Sequence, residues 1–260
     1  MTIDSLAFLG DSIFGHSIGV DSLLARLETV GIERAVVAPF KPRGYHLQAA
    51  NDVVAEAVRS NPGRIAGLVR VDPLLGDDAI REAERGLGDM GLRGIFLHPW
   101  EETFPIDDPR VDSVVEVAGD RRVPVVIASG YPWLSEGLQV GQLAGRFPDV
   151  AFVATNGLQL NMSGLGQTDA ELALSDNPNL SVQTTGVYRQ DFIEHVVATF
   201  GAERVLFAGG SPQFDPALEA RRVKWAAFSE EQKQLVLERN AARLFGLAPS
   251  HSSINLPEVT

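Results

Sequence analysis

The sequence predicts an α/β fold, a closed (β/α)8 TIM barrel forming one domain over residues 1–247, on three observations. Short apolar runs alternate with helical patterns eight times along the 260 residues, as a barrel of parallel strands requires. Each strand-like run ends in a breaker or polar cluster, which is where the ligand-facing loops of such a barrel begin. No Gly-x-Gly-x-x-Gly follows the first apolar run, so the alternative, a doubly wound open sheet, lacks its phosphate-binding turn.

Residues 3–9 read as the first strand, with a loop over 10–19. A helix from Asp21 then repeats Leu23, Leu24, Leu27 and Val30 at helical spacing. The second strand is 35–39. After a turn at 41–44, a helix carries Ala49, Val53, Val54 and Val58 on one face and stops at Pro62-Gly63. The third strand, 65–71, is closed by Asp72-Pro73, and a helix over 78–88 leads to the fourth strand, 94–97. That strand ends in His98-Pro99-Trp100, and the fourth helix starts near Asp108-Pro109. Strands five to eight are 123–128, 150–154, 180–183 and 205–207, each separated by a helix, the last of these at 190–200. The final helix opens at Ser229 with Gln232 three residues on, a capping-box pattern, and runs to Phe245 before Gly246. The tail 248–260 holds Ile254, Leu256 and Val259 without a core of its own, so it is expected to be mobile or to dock on a neighbouring subunit.

A formal net charge of -12 disfavours nucleic-acid backbones and anionic membranes as partners. With no cysteine there is neither a disulfide framework nor a thiolate. No basic segment precedes the first apolar run and no run is long enough to span a bilayer, so an untargeted, cytoplasmic protein is expected.

Several blocks resemble one family, in order and spacing: LLARLETVGIERAVVAP, NPGRIAGLVRVDP, GLRGIFLHP, DDPRVDSVVEVAGDRRVPVVI, FGAERVLF and ERNAARLFGL. The chain is similar to the amidohydrolases that include aminocarboxymuconate-semialdehyde decarboxylase, and the resemblance implies a distorted (β/α)8 barrel. The family's metal site is what does not match. Its opening Asp-x-His-x-His corresponds to Asp4-Ser5-Leu6-Ala7-Phe8 here. Its fifth-strand histidine corresponds to Ala128, its sixth-strand histidine to Thr155, and its last aspartate to Gly210. Hydrocarbon offers no lone pair to a zinc-like ion, so no resident divalent metal and no cofactor are expected. Leu6 and Phe8, two apart on one strand, should both face the barrel mouth.

The remaining polar residues at strand ends are the candidate site. His98 is either a general base or a hydrogen-bonded strand-end histidine. Asp11 either orients His98, binds a cationic group or serves a turn. Leu6, Phe8, Trp100, Ser129, Tyr131, Thr155, Asn156, Gln183, Thr185 and Ser211 are candidate ligand contacts, since such a set can stack on and hydrogen-bond a small molecule. Glu101 and Glu102 read as a solvated acidic face. His16, His46, His195 and His251 lack mutual ligand spacing, and no Gly-x-Ser-x-Gly elbow is present. Three functions stay open. One is a noncatalytic barrel, serving as partner of a metal-bearing homologue or as a small-molecule binder. The second is a metal-independent hydrolase or lyase using His98 on a small cyclic or carboxylated substrate. The third is an ordinary metal-dependent hydrolase or decarboxylase. A homodimer, or a mixed complex with an active homologue, is the expected assembly.

Overall fold

Strands buried on both faces need near-continuous apolar runs, and β1 (Ile3–Asp11) is buried without a break from Ile3 to Leu9 before emerging at Asp11. A computed structural model describes residues 2–160, 164–187 and 189–247. The tail 248–260, with His251, lies outside them. Within the expected loop 10–19, β2 (Ser17–Ile18) folds back antiparallel on the end of β1, a hairpin that the breaker residues had concealed. Helix α1 (Val20–Glu28) leads to β3 (Arg34–Pro39), and α2 (Leu47–Ser60) to a third strand that arrives in two pieces, β4 (Ile65–Gly67) and β5 (Val69–Arg70). Next come α3 (Asp77–Leu87), β6 (Ile95–Leu97) and the single turn α4 (Pro99–Glu102). They are followed by α5 (Asp112–Arg121), β7 (Val125–Ile127), α6 (Gly137–Arg146) and β8 (Phe152–Ala154). The chain continues through α7 (Gly164–Asp176), β9 (Leu180–Gln183), α8 (Gln190–Phe200), β10 (Val205–Leu206) and α9 (Pro216–Trp225). It closes with α10 (Glu230–Gln234) and α11 (Asn240–Leu244).

The split third strand has a topological reason. Strands pair in two sheets, β2-β1-β3-β4 and β10-β9-β8-β7-β6-β5, parallel throughout except for β1 with β2. The third strand passes from one to the other at Leu68, whose N–H still donates to Val37 O at 2.8 Å. At the opposite edge, backbone bonds join the first strand to the last: Ser5 N–H to Phe207 O at 3.0 Å, Gly210 N–H to Leu6 O at 2.9 Å, and Phe8 N–H to Ser211 O at 2.8 Å. The fold is a distorted (β/α)8 TIM barrel. Among the described residues no helix is long and apolar enough to cross a membrane.

Side chains reinforce that seam. The Asp4 carboxylate accepts from Gly209 N–H at 2.7 Å and Leu6 N–H at 3.1 Å, while Ser5 Oγ donates to Phe207 O at 2.7 Å. Gln183 is a brace here, donating to Ser5 O and Oγ at 3.0 and 2.9 Å. A Cβ at residue 209 would stand 2.5 Å from Asp4 Oδ2, so glycine lets the chain approach the acid. Ser229 forms the expected capping box with Gln232, and the final helix passes through one π turn at Leu235–Arg239. Val236 O there accepts Phe207 N–H at 2.8 Å. Asn240 donates to Ala202 O and Val205 O at 2.7 and 2.8 Å, tying the helix under the last strand.

Burial pushes the Asp4 carboxyl up to about 7, more than its two backbone donors lower it, and the nearby Glu219 adds to the rise. The native state therefore keeps a proton that the unfolded chain releases in the ordinary aspartate range. The stability linked to Asp4 is full at low pH and is lost as pH climbs toward neutrality. Glu219, raised to about 7 by burial, acts with the same sign. Urea denaturation should show stability falling between about pH 5 and about pH 8. Asp4→Asn should reduce that slope and exceed the wild type at about pH 8 by at least about 1 kcal/mol. Wild-type stability rising over this range would mean that Asp4 is ionised in the native state.

Candidate functional site

The C-terminal ends of the strands enclose a cavity of about 200 Å3. Strand alternation turns Leu6 and Phe8 of β1 into it together, and Phe8 stacks on Phe40 with centroids 5.0 Å apart and meets Phe96 edge-on at 5.7 Å. Phe96 and His98 enter from the end of β6, Ala128 and Tyr131 follow β7, Thr155 and Asn156 follow β8, and Thr185 follows β9. Gly210, Gln213 and Phe214 follow β10, and His16 comes from the turn before β2. The five positions matched to the family's metal ligands, Leu6, Phe8, Ala128, Thr155 and Gly210, thus gather around one cavity. Gly210 has φ 62°, and a Cβ there would sit 2.5 Å from Thr185 Oγ1 and 2.8 Å from Phe214 Cδ2. The position admits no larger side chain without displacing those neighbours.

Other candidate residues support the wall from behind. Ser129 is buried, taking Thr155 Oγ1 as acceptor for its N–H at 3.0 Å and Thr155 O for its hydroxyl at 2.5 Å. Asn156 Nδ2 donates to Ser129 O at 3.1 Å and to Thr155 Oγ1 at 2.9 Å. Ser211 is fully buried and its carbonyl serves the seam. Trp100 is 51% exposed and stacks on the outer face of Tyr131, centroids 5.6 Å apart. Ser129, Gln183, Ser211 and Trp100 therefore stand outside the cavity lining, as braces or cover. Of the roles open to Asp11, the turn role matches its place: it emerges at the exposed end of β1 and its carboxylate accepts from Ser17 Oγ at 2.6 Å across the β1-β2 hairpin, outside the cavity lining.

Glu101 is the acid beside His98. As the N-cap of α4, His98 accepts Glu101 N–H on Nδ1 at 3.3 Å, which assigns the ring proton to Nε2, 3.6 Å from Glu101 Oε1. Burial, then the positive charges of Arg70 and Lys41, hold His98 well below the usual histidine range, so the ring is neutral. Burial, with Glu101 adding, pushes the Tyr131 hydroxyl up to about 12, so it keeps its proton.

The acidic pair expected at the surface is instead buried. Arg70, wholly enclosed, donates to Glu101 at 2.5 Å and to both oxygens of Glu102 at 2.8 and 3.1 Å. Lys41 lies 3.5 Å from Glu102 and donates to Glu101 O. Two cations and two anions thus neutralise one another behind Phe96 and His98, and Arg70 packs over the Phe96 ring at 5.6 Å. Neither cation was apparent in the sequence, because both lie at least 31 residues from Glu101. Phe214 and Gln213 were missed as well, although their place just after the Gly-Gly-Ser-Pro loop was a signal. Arg70→Met should cost about 3–5 kcal/mol in chemical denaturation by leaving buried carboxylates undercompensated. Adding Glu102→Gln to it should recover much of that loss, whereas a near-neutral single variant would show that the cluster is solvated.

No curated protein matches the chain. Among solved structures, 5-carboxyvanillate decarboxylase from Sphingomonas paucimobilis is similar with a TM-score of 0.74 at 18% identity, covering 95% of this chain and 99% of that one. Dihydroxybenzoic acid decarboxylase from Polaromonas, with bound manganese, has a TM-score of 0.74 at 16% identity, covering 96% and 98%. The 4-oxalomesaconate hydratase of Rhodopseudomonas palustris has a TM-score of 0.69 at 18% identity, covering 95% and 96%. At these identities the likeness is one of fold. The residues here do not fit a divalent ion. Of the five matched positions that line the cavity, only Thr155 offers a donor atom, Oγ1, which already accepts two N–H groups, and the retained Asp4 turns its carboxyl to Gly209 and Leu6 N–H at the seam. Among the described residues no three His, Asp or Glu side chains gather where an ion could be held. The amidohydrolase family model matches residues 17–247, from β2 to the end of the final helix, and the chain belongs to that family.

Proposed function

We propose that this protein is a noncatalytic amidohydrolase-family barrel that binds a small molecule at its mouth. The observation that carries this reading is the lining itself, with hydrocarbon from Leu6, Phe8 and Ala128 at positions matched to ligands and a cavity of about 200 Å3 kept open between them. An apolar cavity of ~150 Å3 already accommodates a benzene ring, so this one has room for a single ring with a short substituent. The state of His98 supports the same reading. A general base needs a free lone pair, and the Nδ1 pair is committed to Glu101 N–H while Nε2 carries the proton.

One observation favours a second reading, a metal-independent hydrolase or lyase. Glu101 Oε1 lies 3.6 Å from His98 Nε2 at the edge of the cavity, a base beside an orienting acid. That chemistry requires His98 to release Glu101 N–H and turn a lone pair toward substrate.

Elemental analysis of the dialysed protein, paired with turnover assays on aromatic carboxylates with and without added manganese, separates these readings. Metal far below one ion per chain and no turnover are expected. One retained ion that is lost in His98→Ala would overturn the metal-free assignment. Turnover without metal that is abolished by His98→Gln would establish the second reading.

A further inference from the structure

Building on that small-molecule reading, we infer that the cavity is selective for an uncharged single-ring compound bearing an acceptor oxygen, received by the hydroxyl protons of Thr155 and Thr185. Thr155 Oγ1 accepts from Ser129 N–H at 3.0 Å and from Asn156 Nδ2 at 2.9 Å, which fills its lone pairs. Among the described residues its hydroxyl proton has no acceptor, and the side chain lines the cavity. Thr185 Oγ1 is buried, lines the same cavity and has no hydrogen-bond partner among the described residues. A buried hydroxyl left without a partner is costly, and an acceptor atom in the cavity would satisfy it. The missing Cβ of Gly210, which would lie 2.5 Å from that oxygen, leaves the hydroxyl its room.

Charge decides against a carboxylate. Nearby Arg70 and Lys41 are matched by Glu101 and Glu102, and His98 is a neutral N–H donor. An anion entering the cavity would shed its water and meet no uncompensated cation. Shape adds the ring, because Phe8, Phe96, Tyr131 and Phe214 provide flat apolar walls. Acetophenone, benzoate and toluene are close in size and represent the neutral acceptor, the anion and the apolar control.

Ligand-observed NMR titration of the full chain with these three probes is the test. Acetophenone should bind at least about tenfold more tightly than benzoate, and Thr185→Val should weaken it about five- to tenfold, the worth of roughly one hydrogen bond. Toluene binding should be unchanged in Thr185→Val, and the variant's melting temperature unchanged or higher, because the hydroxyl has no partner among the described residues. Thr185→Ser should retain acetophenone binding. Benzoate equal to or tighter than acetophenone overturns the inference, as does acetophenone unmoved by Thr185→Val, while the binding reading survives. Failure of all three probes, toluene included, overturns the small-molecule reading itself.

Discussion

The structure depends on how its first strand is sewn to its last. A barrel whose seam lacks a regular ladder must find other partners for its edge groups. Here Ser5, Leu6 and Phe8 use backbone atoms of Phe207, Gly210 and Ser211, and Asp4 supplies a side chain for Gly209 N–H. Two consecutive glycines make this possible by bringing the loop against the Asp4 carboxylate and the Thr185 hydroxyl. The same approach excludes a side chain at the position matched to the family's aspartate. The apolar mouth and the closure of the barrel are therefore one arrangement: the loop that closes the seam cannot also present a carboxylate to an ion.

Much of the fold was legible because strand-helix alternation is a local signal. Helix 190–200 and the Ser229 capping box appear in the structure as the periodicity and spacing indicate. The split at Leu68 was not legible, because 65–71 reads as one strand in spite of Gly67 and Arg70, and the break comes from passing between two sheets. At the site, alternation placed Leu6 and Phe8 on the cavity, and the family blocks placed Ala128, Thr155 and Gly210 beside them. Polarity alone did not separate lining from bracing. Ser129, Gln183 and Ser211 look no different in sequence from Thr155 and Thr185, and only the hydrogen bonds show which side each serves. Glu101 and Glu102 misled for a related reason, since adjacent acids are usually solvated and their cations arrive from other loops.

That buried charge cluster also gives the cavity its character. Arg70 and Lys41 could have made the mouth attractive to anions, but each is paired with a carboxylate of Glu101 or Glu102, which offsets its charge. What remains is a set of weak dipoles, an imidazole N–H, two threonine hydroxyls and a phenol, set among aromatic rings. In an apolar surround such dipoles interact more strongly than they would in water, and on the proposed binding reading they fix how a ligand must be turned.

The π turn in the final helix has a consequence for how the chain tolerates change. Such a turn holds one residue more than the α-helix it interrupts, and each α-helical residue advances the helix by about 100°. The widened turn takes up that residue, so the helix on either side keeps the phase of regular winding. Its first half is set by the cap at Ser229, and its second holds Asn240 on Ala202 O and Val205 O and Phe245 in the core. Removing a single residue within Leu235–Arg239 would return the turn to α winding and leave both halves where they are. Removing one from α10 or α11, where no slack exists, would swing everything beyond it by that angle. The π turn is thus a place where this helix absorbs a change of length that its α segments would not.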